Sequence, residues 1–391
     1  MITIENALNL VEQNLPEPTI KEISLEMALD LVLAKDLVSP ITMPPFRQSA
    51  MDGYALNYWD SNIYEIIDEI KAGDGHNPKL KPGQGVRIFT GAAVPDSANT
   101  IAIQEHVTYL NHEITLTKGV SIEQNIRPLG EQIKQGDIAL AKGTKLTAAA
   151  IGYLAGLGIT RVVVYSKPSI AIITTGNELV TPGEPLSYGK IYESNGIMLA
   201  NALLKSDYQK VEIFQVKDDY KNTLSLFENV LSHFDMVLIT GGISVGDYDF
   251  VGKALKELQV KEVFYKVSQK PGKPLFFGRK KHTAIFALPG NPASTLTCFY
   301  IYVLPALSKM SGKPFAMLPR SIAKSMTSFS LKGDRPQFLK SKLSNGEVEI
   351  LEGQSSAMLH TFSLANALVY VKLENPNINL GDEVEVINLP I

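Results

Sequence analysis

The sequence predicts a multidomain protein with a central α/β domain, an inserted β-rich lobe, a helical N-terminal segment and a small C-terminal β-barrel. Residues 166–312 alternate apolar strand-like runs with helical patterns, which is typical of a parallel sheet with helices on both faces. Residues 41–134 and 313–391 instead carry short β-like runs between glycine, proline or polar turns. A chain of 391 residues is long enough for about two to four such domains.

The N-terminal segment, residues 1–40, contains two predicted helices. Residues 4–15 have a helical apolar stripe that stops at Pro16, and residues 25–37 follow Ser24, a favourable N-cap residue. Residues 135–165 add a helix rich in small residues and then a strand. In the α/β part, strands are predicted at 169–175, 211–219, 236–240, 263–269 and 284–288, and helices at 195–206, 223–234, 251–258 and from about Ala293.

The composition is that of an ordinary soluble globular protein, with 45% hydrophobic and 20% charged residues. A net charge of −3 argues against an electrostatic nucleic-acid binder. The single cysteine, Cys298, excludes an intramolecular disulfide, and its apolar surroundings predict a core position. No apolar run approaches the roughly 20 residues of a membrane span, and Met1 is not followed by a signal-peptide pattern. We therefore expect a cytoplasmic protein that does not engage the membrane.

The most informative segment is the glycine loop, residues 240–249. It follows the apolar run 236–239 and precedes a helical pattern. Glycines between a strand and a helix N-terminus let backbone N–H groups approach an anion, and acids beside them suit a divalent cation bridging to phosphate. The alternative is a tight turn with Asp247 or Asp249 as N-cap. The loop contributes the candidate ligand-binding residues Gly241, Gly242, Ser244, Gly246, Asp247 and Asp249.

Two further loops also follow strands. The lysine loop, residues 266–274, presents Lys266, Lys270 and Lys273 around a rigid Pro-Gly pair, and the proline loop, residues 289–294, leads into a long apolar helix. In open α/β sheets, ligands bind at the carboxyl ends of the strands, where these loops would meet. A lysine cluster is more often a solvated face, but here its combination with acidic loops favours a phosphorylated, metal-assisted ligand.

These segments resemble the signatures of the molybdopterin molybdenumtransferase family, the bacterial MoeA proteins and the gephyrin E domain. The matching segments occur in the family's order over nearly the whole chain, which makes the resemblance highly specific. They are PPFRQSAMDGYA (44–55), RIFTGAAVP (87–95), IRPLGEQI (126–133), TTGNEL (174–179), IYESNG (191–196), GGISVGDYDF (241–250), KPGKP (270–274) and LPGNPAS (288–294).

The resemblance implies an activity and a domain order. Members of the family insert molybdate into adenylylated molybdopterin and release AMP, so both compounds are expected substrates and Mg²⁺ an expected cofactor. It also implies that 135–165 packs with 1–40, so that the lobe 41–134 is an insertion. A homodimer with a shared cleft, and transient contact with other proteins of molybdenum-cofactor biosynthesis, are implied as well.

The resemblance also assigns roles to individual residues. Asp218 and Asp249 match the family's metal-binding and catalytic acids, for which helix capping is the alternative. Glu178 matches a further acid, or is a first-turn helix acid. Asp52 and Thr90 match residues that affect activity, although their segments also suit a structural hairpin. Lysines 266 and 270 are expected in catalysis. The expected ligand-binding residues of these later segments are Lys273, Pro274, Ser294, Arg335 and Ser356, the last of which could equally be a turn serine.

Two positions depart from the family pattern. Gln132 and Asn177 stand where many members have aspartate. The lost charges predict weaker cation binding, a changed metal preference or a paralogue with another role. A non-catalytic molybdopterin-binding scaffold and a molybdopterin adenylyltransferase therefore remain as alternative functions. The latter is disfavoured because such enzymes resemble only residues 166–312.

Overall fold

The computed structural model describes residues 1–242 and 250–391, and the chain divides into two compact units. The larger unit comprises residues 1–21 and 164–391, and the smaller unit comprises residues 22–163. The predicted domain boundaries after residues 40, 134, 165 and 312 remain predictions.

The larger unit is built on a six-stranded sheet. Its strands lie in the order Val211–Val216, Ile170–Thr175, Met236–Thr240, Thr283–Leu288, Phe276–Lys280 and Lys261–Tyr265. The first four are parallel, whereas the fifth runs antiparallel to both of its neighbours. The sheet is therefore mixed, because the strand 276–280 folds back as a hairpin that the sequence pattern did not reveal. The sixth strand again runs parallel to the first four, so the lysine loop that follows it reaches the same carboxyl edge.

Helices cover both faces of this sheet, as predicted. The central strands are buried along their whole length, which explains their continuous apolar sequences. The predicted helices outside residues 25–37 are confirmed. The helices of the larger unit are Ile4–Asn14, Asn195–Lys205, Tyr220–His233, Phe250–Glu257, Pro292–Cys298, Leu304–Met310 and Leu359–Leu364, with a π-helical segment at Phe299–Val303.

Cys298 belongs to the core, as expected. It is fully buried in the cluster of apolar side chains on one face of the sheet. Burial raises the pKa of its thiol to about 12. Among the described helices, none is both long and apolar enough to cross a membrane.

The predicted C-terminal barrel is confirmed. Its five strands form a closed barrel in the order Arg320–Ser325, Glu347–Ile350, Gln337–Ser344, Ala367–Val371 and Glu383–Asn388. Backbone hydrogen bonds join it to the lysine loop: the Lys270 N–H donates to the Pro336 carbonyl at 2.9 Å, and the Phe338 N–H donates to the Lys270 carbonyl at 2.9 Å. The barrel therefore adds side chains to the edge of the α/β sheet where the loops meet.

The smaller unit contains the predicted β-rich lobe. Short strands pair at Leu37–Val38 with Ile138–Leu140 and at Gln48–Ser49 with Ile126–Arg127, and one helix spans Ala148–Gly156. The main sheet has six strands, in the order Thr100–Ile103, Gly53–Leu56, Gln84–Ile88, Ile63–Ile70, Glu113–Leu116 and Val107–Leu110.

The predicted helix at 25–37 is wrong. Only Leu25–Met27 forms a single 3₁₀ turn, and Asp30 then adopts a positive φ of 62° that breaks any helix. Val32 pairs with Lys145 as an extended segment, and both Val32 and Leu33 are buried. Packing of this apolar run against 144–146 thus outweighs its helix propensity.

Candidate functional site

The loops at the carboxyl edge of the six-stranded sheet lie side by side. The order of the strands places Asp218 next to residues 176–178, then Gly241 and Gly242, then the proline loop, with the lysine loop beyond it. A Cβ atom at Gly290 would lie 3.7 Å from the Gly241 Cα, so the glycine and proline loops are in contact. The predicted gathering of loops at one edge is therefore present in the described residues.

At one end of this edge, Asp218 is held by residue 177. The Asn177 N–H donates to the Asp218 Oδ2 and the Asp218 N–H donates to the Asn177 Oδ1, both at 3.1 Å. The helix that follows is capped by Asp219, which accepts a hydrogen bond from the Asn222 N–H at 2.8 Å. Asp218 is thus not the N-cap, and its carboxylate is fixed by the reciprocal pair with Asn177 instead.

Glu178 lies beside this pair on a constrained turn. A Cβ atom at Gly176, whose φ is +149°, would lie 2.7 Å from both carboxylate oxygens of Glu178. The turn leads into the short strand Leu179–Val180 and not into a helix, so Glu178 is not a first-turn helix acid.

The described part of the glycine loop requires glycine for steric reasons. Gly241 and Gly242 have positive φ angles of 87° and 63°. A Cβ atom at Gly241 would lie 2.5 Å from the Thr175 carbonyl oxygen, and one at Gly242 would lie 2.6 Å from a methyl carbon of Val251. No larger residue fits between these neighbours. The predicted residues Ser244, Gly246, Asp247 and Asp249 lie outside the described residues.

At the other end of the edge lies the basic cavity, of about 810 Å³. It brings together residues of the lysine loop, the proline loop and the barrel. Three cations and no aspartate or glutamate are found among its described lining residues, so it suits an anion. The lining residues are Lys270, Pro271, Gly272, Lys273, Pro274, Pro289, Gly290, Asn291, Ser294, Arg335, Gln354, Ser355 and Ser356.

A buried glutamine, Gln269, fixes the lysine loop through hydrogen bonds. The side-chain amide of Gln269 donates to the Pro271 carbonyl at 3.1 Å, and its oxygen accepts a hydrogen bond from the Tyr302 hydroxyl. A Cβ atom at Gly272 would lie 2.6 Å from the Cys298 sulfur, so glycine is needed at this position too. Arg335 of the barrel donates to the Gln269 carbonyl at 3.1 Å. The loop therefore presents its lysines from a rigid base.

Ser356 connects the barrel to the proline loop. Its hydroxyl accepts a hydrogen bond from the Asn291 side chain at 2.9 Å, and its carbonyl accepts one from the Ala293 N–H at 3.1 Å. Ser294 directly follows Ala293 in the chain, and it is 3% exposed. Two serines from different domains thus line the same cavity.

Not every predicted site residue lies at this cavity. Lys266 does not line it; its ammonium group lies 4.8 Å from the centre of the Tyr265 ring. In the smaller unit, Thr90 donates to the Asp52 carboxylate from its N–H at 2.7 Å and from its hydroxyl at 2.9 Å. These hydrogen bonds lower the pKa of Asp52.

Sequence reasoning missed three polar residues of the cavity. The sequence indicates Asn291 only as a member of the proline loop, and it contains no motif that would indicate Gln354 or Ser355 as site residues. Asn291 is recognised as a site residue by its hydrogen bond to Ser356, and only the folded structure brings these two residues together.

The described residues contain no group of three or more His, Cys, Asp or Glu side chains that could hold a metal ion. Asp218 is described, whereas Asp249, its predicted partner, is not. A rigidly held carboxylate is a hard oxygen donor of the kind that Mg²⁺ prefers, so Asp218 fits the expected ion.

A covered α/β sheet and a β-barrel that together line a cavity with cationic side chains define a class of multidomain proteins. Family profiles narrow this class. The chain matches the MoeA N-terminal region (domain I and II) over residues 2–158, a probable molybdopterin binding domain over 171–309 and the MoeA C-terminal region (domain IV) over 323–389.

Individual relatives agree over the full length. A molybdopterin molybdenumtransferase from Haemophilus influenzae is 32% identical, covering 99% of this chain and 98% of the relative. One from Staphylococcus epidermidis is also 32% identical, covering 99% and 95%. The crystal structure of a molybdopterin biosynthesis MoeA protein from Pyrococcus horikoshii superimposes with a TM-score of 0.84 at 30% identity, covering 99% of both chains. The chain belongs to the molybdopterin molybdenumtransferase family.

Proposed function

We propose that this protein inserts molybdate into adenylylated molybdopterin and releases AMP. Its full-length relatives carry the corresponding name. The observation that carries the proposal is the basic cavity, which three cationic side chains and no described acid line. Asp334, outside the lining and largely exposed, lies 3.7 Å from Arg335. Molybdate is a small divalent oxyanion, and such a cavity supplies both charge and hydrogen-bond donors for it.

The cavity residues have distinct roles in this proposal. Lys270 and Lys273 neutralise charge from the lysine loop, and Arg335 does so from the barrel. The hydroxyls of Ser294 and Ser356 donate to oxyanion oxygens, and Pro274 shapes the wall. Lys266 acts from outside the cavity, at the start of the same loop.

The acidic end of the edge is proposed to hold the nucleotide and its cation. Asp218 and Asp249 would bind Mg²⁺ through carboxylate oxygens, and this ion would neutralise the pyrophosphate. Glu178 would orient ligand hydroxyls or water. Glycine-loop residues, including Ser244, Gly246 and Asp247, would bind the pterin and phosphate through backbone N–H groups. Asp52 and Thr90, in the smaller unit, are proposed to affect activity.

We also propose a cytoplasmic homodimer that contacts other proteins of molybdenum-cofactor biosynthesis. Exposed apolar side chains support self-association: Ile197 and Leu204, seven residues apart in one helix, are 50% and 58% exposed. Light scattering at micromolar concentration should give the mass of a dimer. A monomer mass would exclude a cleft shared between two subunits.

One assay tests the activity. Purified protein is mixed with adenylylated molybdopterin, Mg²⁺ and either molybdate or tungstate, and AMP release is measured. Oxyanion-dependent release is expected. Ligand binding without turnover would favour the non-catalytic scaffold. Consumption of ATP to adenylylate molybdopterin would favour the adenylyltransferase, although the matches to the MoeA N- and C-terminal regions disfavour it.

A further inference from the structure

Lys340 is a buried lysine in the barrel strand Gln337–Ser344. It is 4% exposed, and its ammonium group donates to three backbone carbonyls: those of Gly353 at 2.8 Å, Ser355 at 3.1 Å and Met358 at 3.0 Å. These bonds use all three of its donors. No described acid forms an ion pair with it, and burial lowers its pKa. Lys340 is thus a buried cation satisfied only by carbonyl oxygens of one loop.

The same residue holds this loop through its backbone. The Lys340 N–H donates to the Gln354 side-chain oxygen at 3.0 Å, and the Gln354 side-chain amide donates back to the Lys340 carbonyl at 2.9 Å. Gly353 has a φ of +78°, and a Cβ atom there would lie 2.5 Å from the Thr361 hydroxyl oxygen. The loop is therefore tied to the strand at several points and packed closely behind.

The tied loop forms one wall of the basic cavity. Gln354, Ser355 and Ser356 line the cavity, and Ser356 bonds to Asn291 and Ala293 of the α/β domain. Lys340 itself does not line the cavity. It holds the carbonyls on both sides of Ser356, at residues 355 and 358, so its removal would release the serine from its place against Asn291.

We propose that Lys340 is a positioning residue of the oxyanion site, which fixes residues 353–358 so that Ser356 stays in the cavity wall. Its positive charge, with no described counter-ion, also favours an anion next to that wall. This inference rests on the proposed molybdate-dependent activity. A merely structural lysine would affect stability without selecting one substrate over the other.

The test compares Lys340→Met with Lys342→Met, which removes an exposed lysine from the same strand. For Lys340→Met we expect the KM for molybdate to rise by about tenfold or more, with the KM for adenylylated molybdopterin changed by less than about twofold. Lys342→Met should match the wild type. The inference would be overturned if folded Lys340→Met had the same KM for molybdate as the wild type. It would also be overturned if the KM for molybdate and the KM for adenylylated molybdopterin rose by the same factor.

A double-mutant cycle with Ser356→Ala identifies the route of the effect. If Lys340 acts through Ser356, Lys340→Met should change the molybdate KM much less in the Ser356→Ala protein than in the wild type. Additive effects would show that Lys340 does not act through this serine and would overturn the inference.

A measurement on the unaltered protein covers the case in which Lys340→Met does not fold. Molybdate should slow hydrogen exchange of the amides in residues 353–358 of the wild type. Unchanged exchange at saturating molybdate would overturn the inference. AMP release by the wild type is the reference in all of these tests. If the wild type releases no AMP, the proposed activity is refuted. If the wild type is active and Lys340→Met has the same KM for molybdate, only the positioning role is refuted.

Discussion

The two ends of the sheet's carboxyl edge are built in opposite ways. At the acidic end, a single turn holds Asp218 through a reciprocal pair with Asn177, and Glu178 lies beside it. At the basic end, two loops and a separate barrel contribute Lys270, Lys273 and Arg335, with no described acid among the lining residues. One edge therefore offers carboxylates for a cation at one end and cations for an oxyanion at the other.

Under the proposed activity, this difference would keep the two anionic substrates apart. A pyrophosphate needs a divalent cation, and that cation needs carboxylates, which would repel a bare oxyanion. An oxyanion needs fixed positive charge without competing carboxylates. In the proposed function, separating the two charge types along one sheet edge would meet both needs.

The largest expected effect tests the acidic end. Asp218→Asn and Asp249→Asn should each lower molybdate-dependent AMP release by about a hundredfold or more, roughly 2.7 kcal/mol in barrier. At position 218, asparagine can still accept the hydrogen bond from the Asn177 N–H, so the turn should persist. Turnover is measured at saturating substrates, with circular dichroism to check the fold. Wild-type rates would reduce both acids to structural residues.

The next effect tests the basic end. Arg335→Met should raise the KM for molybdate by about 10- to 100-fold, because a charge-assisted hydrogen bond contributes roughly 1.5–3 kcal/mol. The Mg²⁺ titration should stay unchanged, since the proposed cation site lies at the other end of the edge. Lys332→Met, at an exposed lysine three residues earlier, is the matched control. A shift in both titrations would show that the two ends are not separate.

The structure describes the two ends to different extents. Six residues expected from the sequence line the basic cavity, whereas Asp249 and most of the glycine loop lie outside the described residues. Strand ends and glycine turns in the sequence indicate where the loops of this edge lie. Asn177 and Asp218, which bond to each other, are nevertheless 41 residues apart and meet only through the order of the strands. The basic cavity depends on residues far apart, such as Asn291 and Ser356, whose pairing follows only from the docking of the barrel. Lys340 and Lys342 are equivalent in the sequence pattern, and only burial separates them.

The misassigned helix at 25–37 has the same cause. Its apolar residues do recur at a helical spacing, but the backbone of Val32 pairs with Lys145, so the segment is extended. The central strands of the six-stranded sheet were predicted although their partners are distant, because continuous apolar runs are typical of buried strands. At 25–37 the apolar spacing also fits a helix, and pairing with 144–146 decided the outcome.

A smaller effect is expected from Asn177→Asp. The carboxylate could still accept the hydrogen bond from the Asp218 N–H, so the reciprocal pair should survive. A second negative charge beside Asp218 should tighten Mg²⁺ binding by about tenfold or less, because the site is exposed and partly screened. The half-saturating Mg²⁺ concentration for AMP release measures this change. Weaker Mg²⁺ binding in the variant would argue that Asp218 is not a ligand.

The smallest effect is expected from Gln132→Asp in the smaller unit. Gln132 is exposed, and its N–H donates to the Met43 carbonyl at 3.0 Å, a bond that the substitution leaves in place. We expect activity within about tenfold of wild type, at most ~1.4 kcal/mol in barrier, and an unchanged Mg²⁺ titration at low salt. If the Mg²⁺ titration of the variant differs from that of the wild type at low salt and matches it at high ionic strength, this position contributes charge to cation binding. A large gain in activity would mark the natural chain as a weakened member of its family and would favour the scaffold alternative.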